Sequence, residues 1–267
     1  MTSWVIERPD RLTIDGEVKS LDVSLISGRL NVVATDGPPR VEVAAIGRRH
    51  LRVQLESGVL RVHYERPGKW PGLLSFIGKF VGWNRADVSL AVPYGAGGDL
   101  SVVSGSVVAS GLAGGARVDV TSGRITLLGL DGRTAAKVIS GSIEALHVDG
   151  DLSLETVSGE ITLADSAASR VRARTISGSI TCDLDNPAGS EIRLDTTSGE
   201  ITVRVREDSD LDVQLHAVSG RVASAFGELP TTAGNSLRGT LGAGTGRLYA
   251  NAVSGTSSLL RRPAEGS

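Results

Sequence analysis

Val118-Asp-Val-Thr-Ser-Gly-Arg-Ile-Thr-Leu127 decides the fold, because the chain repeats it. It returns as Leu154-Glu-Thr-Val-Ser-Gly-Glu-Ile-Thr-Leu163. Its Ser-Gly centre recurs at Ser104-Gly105, Ser122-Gly123, Ser140-Gly141, Ser158-Gly159, Ser177-Gly178, Ser198-Gly199, Ser219-Gly220 and Ser254-Gly255, at steps of 18, 18, 18, 19, 21, 21 and 35 residues. A short period of this kind marks a stacked architecture, in which each unit buries its apolar face on the next.

The residues around each Ser show what one unit is. Two before it stand Val102, Val120, Val138, Thr156, Thr175, Thr196, Ala217 and Ala252; four before it stand Leu100, Val118, Ala136, Leu154, Ala173, Leu194, Leu215 and Ala250. The position between is Ser101, Asp119, Lys137, Glu155, Arg174, Asp195, His216 and Asn251. Apolar and polar residues alternate with period two, which is a strand with one buried face. Past the Gly the parity changes: Val107, Ile125, Ile143, Ile161, Ile180, Ile201 and Val222 come three residues after the Ser. A straight strand cannot exchange its faces, whereas a corner at Ser-Gly can, since Gly accepts the positive φ of a sharp bend. Each period therefore predicts two short strands, a corner, and a second turn such as Asp131-Gly132 or Asp149-Gly150.

Identical residues at equal steps favour coils stacked in register, about 4.8 Å apart, over antiparallel hairpins. The predicted fold is all-β: a right-handed parallel β-solenoid, β-helix-like, with Ser-Gly corners and a short irregular β-region at the N-terminus. Handedness follows the crossover rule. Roughly five inward side chains per coil, at about 1.5–3 kcal/mol each, offset the ordering cost only when neighbouring coils cover them.

Residues 1–66 keep the alternation without the period, as in Leu21, Val23 and Leu25 ahead of Ser27-Gly28. They are expected to form irregular first coils or a short sheet continuous with the solenoid, with Ser27-Gly28 and Ser57-Gly58 as degenerate corners. Residues 67–86, PGKWPGLLSFIGKFVGWNRA, break the pattern. They hold Trp70, Leu73, Leu74, Phe76, Ile77, Lys79, Phe80 and Trp83, and no acidic residue. Two readings stand: a flap capping the stack against edge pairing, or an aromatic and basic patch for peripheral membrane or partner contact. Residues 87–260 are the repeats, with a long turn expected over 227–246, and 261–267 form a flexible tail. The whole is expected to be one structural domain.

Composition narrows function. The 267 residues are 40% hydrophobic but only 3% aromatic, with 34 Gly, so the core must be aliphatic. A net charge of −2 gives no basic footprint for nucleic acid. One cysteine, Cys182, forms no internal pair, and the N-terminus MTSWVIERPD lacks the pattern of a secretory signal. The expected compartment is the cytoplasm, with a peripheral place at the inner face of the membrane open through residues 67–86.

No catalytic, cofactor-binding or metal constellation emerges. Cys182 falls on an inward position, in register with Leu127, Leu163 and Val203. His50, His63, His147 and His216 show no ligand spacing. Asp131, Asp149, Asp151, Asp165, Asp183 and Asp185 lie near the second turns. Stacked carboxylates of that kind serve carbohydrate-active β-helix enzymes, although Asp is also an ordinary turn residue. Eight equivalent serines, none within Gly-x-Ser-x-Gly, argue for corner geometry and against a nucleophile.

The repeated unit, with the Val92-Pro-Tyr-Gly-Ala96 turn that enters it, resembles the bacterial β-strand-repeat family labelled "putative adhesin", a domain of unknown function. The resemblance runs from about Leu21 to Leu260. It implies a right-handed β-helix-like fold, no catalytic residues to carry over, and a link to the cell envelope and its stress responses. The expectation is a non-enzymatic scaffold or adhesin-like binding protein with an unknown protein or envelope partner. The alternatives are an enzyme using the turn aspartates and a self-assembling structural protein.

Overall fold

Strand formation follows the alternation noted above, and the computed structural model contains 20 strands and no helix among its described residues. Those are residues 2–64, 84–184, 188–229, 231–232 (backbone only) and 234–263. The chain divides into two units, residues 1–126 and 127–267.

In the first unit, β3 (Ser20–Ala34) and β8 (Gly97–Ser110) run parallel in register, with Ser27 opposite Ser104 and Gly28 opposite Gly105. Ser27-Gly28 is thus a corner of the stack. On its other side β3 meets β6 (Val59–Tyr64) through Ser20–Ser24 and β7 (Arg85–Val92) through Ser27–Ala34, both parallel. Together β6 and β7 make one coil, and the chain leaves and re-enters it where the other coils carry Ser-Gly. The Tyr64 hydroxyl donates to the Asn84 carbonyl across that corner.

Antiparallel strands then cover this coil. β5 (Leu51–Glu56) pairs with β6 and β1 (Thr2–Ile6) with β5. β4 (Arg40–Ile46) pairs with β7 and β2 (Asp10–Thr13) with β4. Ser57-Gly58, expected as a degenerate corner, is instead the two-residue turn of the β5–β6 hairpin, with φ of 49° and 81°. Positive φ at both central positions is what a type I′ hairpin requires, and the same dipeptide serves either geometry.

The second unit is a β-solenoid-like stack of parallel coils. One ladder is β10 (Arg133–Leu146), β11 (Asp151–Ser158), β13 (Arg170–Ser177), β15 (Glu191–Ser198), β20 (Gly246–Arg262) and β17 (Leu211–Ser224). Past the corner, the second half of β10 continues into β12 (Ile161–Ser166), β14 (Ile180–Leu184), β16 (Ile201–Arg206) and the second half of β20. Equivalent residues lie over one another: Leu154, Ala173, Leu194, Ala250 and Leu215 in one column, Ile143, Ile161, Ile180 and Ile201 in another. All are buried.

Backbone bonds cross the corner itself. The Gly159 N–H donates to the Ser177 carbonyl and the Gly178 N–H to the Ser198 carbonyl, both at 3.0 Å. Gly178 has φ 149°, and a Cβ there would land on the carbonyl oxygen of Gly159. The corner thus requires glycine both for its conformation and for the closeness of the next coil.

Three expectations fail towards the end of the sequence. Ser198 stacks on Ser254, not Ser219, because β20 inserts between the β15/β16 coil and β17. Residues 227–246, expected as a turn, hold β18 (Thr231–Thr232) and β19 (Ser236–Leu241); β19 pairs antiparallel with β17, Leu211 opposite Leu241. The excursion occupies the far edge of β17, so the next coil can enter only on the near side. β20 also runs on to Arg262, inside the expected tail.

Candidate functional site

Stacking sorts the candidate residues. The corner residues Ser140-Gly141, Ser158-Gly159, Ser177-Gly178, Ser198-Gly199, Ser254-Gly255 and Ser219-Gly220 share one line in the second unit. Ser104-Gly105 joins Ser27-Gly28 in the first. The serine hydroxyls are repeated corner groups, and no histidine shares their row. The patch of Trp70, Leu73, Leu74, Phe76, Ile77, Lys79, Phe80 and Trp83 lies outside the described residues.

Four of the turn aspartates are engaged by arginines or by a backbone N–H. Asp131 accepts the Gly132 N–H at 2.6 Å. Asp151 pairs with Arg170 at 3.1 Å. Asp183, its side chain 11% exposed, is held by Arg204 and by Arg262, the latter at 3.3 Å. Asp165 faces the same Arg262 at 3.9 Å. Asp185 is outside the described residues. Among the described residues no three His, Cys, Asp or Glu side chains gather as a metal site. Cys182 lies between Leu163 and Val203 and is fully buried, which pushes its thiol up to about 12. That is the reverse of what a nucleophilic thiolate needs.

Elsewhere the charges pair locally. In the first unit Arg29 reaches Asp87 at 2.8 Å and Arg85 reaches it at 3.4 Å. Burial alone would raise the Asp87 carboxyl, but the hydrogen bonds from the two arginines hold it below the usual range.

The feature that stands out is apolar and exposed. The residue immediately before each corner serine points outward: in stack order Ile139, Val157, Ile176, Thr197, Val253 and Val218 in the second unit. The aliphatic ones are 39% to 63% exposed. The register on either side, Val138 opposite Thr156 and Ser140 opposite Ser158, sets Ile139 opposite Val157, and so on through the ladder. The result is a continuous stripe, one β-branched side chain every ~4.8 Å, about 24 Å long over six rungs. Exposed serines border it on one side. On the other run Lys137, Glu155, Arg174, Asp195, Asn251 and His216, where Lys137 meets Glu155 at 3.5 Å and Asn251 donates to Asp195 at 3.1 Å.

Scattered exposed aliphatics are ordinary; an aligned row of them marks a contact surface. The sequence held the signal, since the position before each corner serine is always Val, Ile or Thr and never charged. On a single strand such a residue reads only as β-propensity. The stripe exists once the coils are stacked.

No helix among the described residues is long and apolar enough to cross a membrane, which does not bear on strands.

A family model described as Toastrack DUF4097 matches residues 18–259. No curated protein matches the chain. Among solved structures, a protein of Bacteroides fragilis described as a "putative adhesin" aligns over 98% of this chain and 97% of its own, with TM-score 0.51 and 11% identity. Two from Parabacteroides distasonis, described as a "putative adhesin" and a "putative lipid binding protein", each align over 96% of this chain and 97% of theirs, with TM-score 0.41 and 11% identity. At such identity the likeness concerns the fold.

Proposed function

The chain belongs to the Toastrack DUF4097 family, and from that premise we propose that it is a non-enzymatic, adhesin-like scaffold that binds a protein or envelope partner through stacked coil corners of a right-handed β-solenoid. The stripe from Ile139 to Val218 carries this reading. It is apolar, in line and exposed, whereas three of the turn carboxylates, Asp151, Asp165 and Asp183, are engaged by Arg170, Arg204 and Arg262. Rigidity suits the role. The stripe sits on backbone bonded to the next coil, so little ordering entropy is lost when it docks.

The test is retention on envelope fractions of a bacterial host, compared between the protein and its Ile176→Lys variant. The expected result is retention that falls at least about tenfold in the variant, as at a central contact. Equal retention of both would remove the stripe from the reading.

A second contact is supported by the composition of residues 65–83, which hold Trp70, Phe76, Phe80 and Trp83 with Lys69 and Lys79. Tyr64 and Asn84, which flank them in the chain, are hydrogen-bonded at a coil corner. An aromatic and basic composition suits a membrane interface. Flotation with vesicles containing anionic lipid, with and without residues 70–83, tests this. Equal flotation of the two forms would end it.

A further inference from the structure

We propose that the partner of the stripe is a second copy of this chain, packed stripe against stripe and antiparallel. This deepens the reading above and rests on it.

The first argument is period. β-branched side chains repeated every ~4.8 Å pack rung against rung on a surface that offers the same spacing. A second copy supplies it without adjustment, and an irregular protein surface does not.

The second is area. A standard interface takes about 800 Å² per partner. Five aliphatic rungs between 39% and 63% exposed, with Thr197 and six exposed serines, form an unbroken strip about 24 Å long that can serve as the centre of such a contact.

The third is charge. With a two-fold axis along the strands, passing between Ile176 and Thr197, rung one meets rung six. Arg174 of each copy then faces Asp195 of the other, Glu155 faces Asn251, and Lys137 faces His216, following the stack order. No two carboxylates meet. A two-fold axis along the stack would instead set each rung against itself, and none of these complementary pairings would form. Arg172 and Arg193, which face each other in the antiparallel arrangement, lie four residues back, about 13 Å along the strand from the stripe, where exposed side chains can turn apart into solvent at little cost.

Light scattering on the full chain after size exclusion tests the proposal. The expected mass at tens of micromolar is twice the 27.7 kDa of one chain. Ile176→Lys combined with Val253→Lys should give a monomer with an unchanged melting curve, because both side chains are half exposed in the folded chain. Arg174→Glu should weaken the dimer at least about tenfold by setting acids together across the axis. Thr181→Lys, on the outward face past the corner, should change nothing. A 27.7 kDa species at every concentration, or a dimer indifferent to the paired lysines, overturns the proposal. If the chain is monomeric but Ile176→Lys still abolishes envelope retention, this inference fails and the binding reading survives. If neither property responds, both fail.

Discussion

Cys182 and Tyr64 bury protons that the unfolded chain would release. Burial raises the Cys182 thiol from 9.0 to about 12 and the Tyr64 hydroxyl from 10.0 to about 12. Both stay protonated in the folded state while the unfolded state ionises, so stability is full below about pH 9 and declines as pH rises toward 12. Chemical denaturation at pH 8, 9, 10 and 11 should show that decline, and Cys182→Ala should flatten its early part. A slope unchanged in Cys182→Ala would remove the thiol from the account. Ser257 is a different case. Fully buried, its hydroxyl has no partner, in a column where its neighbours are Ile201 and Val222. An unsatisfied buried hydroxyl is a standing cost. Ser257→Val should raise stability by about 1 kcal/mol in a thermal or urea melt; a loss of that size would mean the column is already full.

Among the elements, the corner is the least tolerant. Gly178→Ala asks for a side chain at φ 149° and places it on the Gly159 carbonyl. Neither backbone can retreat without breaking the Gly159–Ser177 and Gly178–Ser198 bonds. A loss of at least about 3 kcal/mol is expected by urea denaturation, and a loss below 1 kcal/mol would show that the corner relaxes. The strand columns fail in another way. Ile161 is 1% exposed between Ile143 and Ile180. Ile161→Asp buries a charge shared by adjacent coils, so hydrogen exchange should accelerate together across β11 to β14. Protection lost only at residue 161 would argue against coupled coils.

At the level of the molecule, chain order and stacking order part company. β20 comes after β17 in sequence but stacks between it and the β15/β16 coil, pairing with both sides. A chain ending at residue 245 would leave two ladder edges without their shared strand. Its β17 and β19 should lose hydrogen-exchange protection while β10 to β13 keep theirs, since those pair among themselves. Full protection of β17 in that truncation would mean the slot closes on itself. The same insertion completes the stripe, because Val253 from β20 is the rung between Thr197 and Val218.

The sequence by itself determined the coil: alternation set which side chains are buried, the parity change at Ser-Gly set the corner, and the equal steps set which residues share a column. These are local and periodic facts, and the buried rows at Leu154, Ile161 and Cys182 lie where they place them. Tertiary structure alone decided the rest. A dipeptide does not state whether its neighbours run on or fold back, so Ser57-Gly58 could be told from Ser27-Gly28 only through its pairing. Spacing states that coils stack but not in which order once an excursion such as β19 occupies an edge. The stripe is legible only across coils, because exposure is a property of a surface, and a surface exists only after the chain has closed on itself.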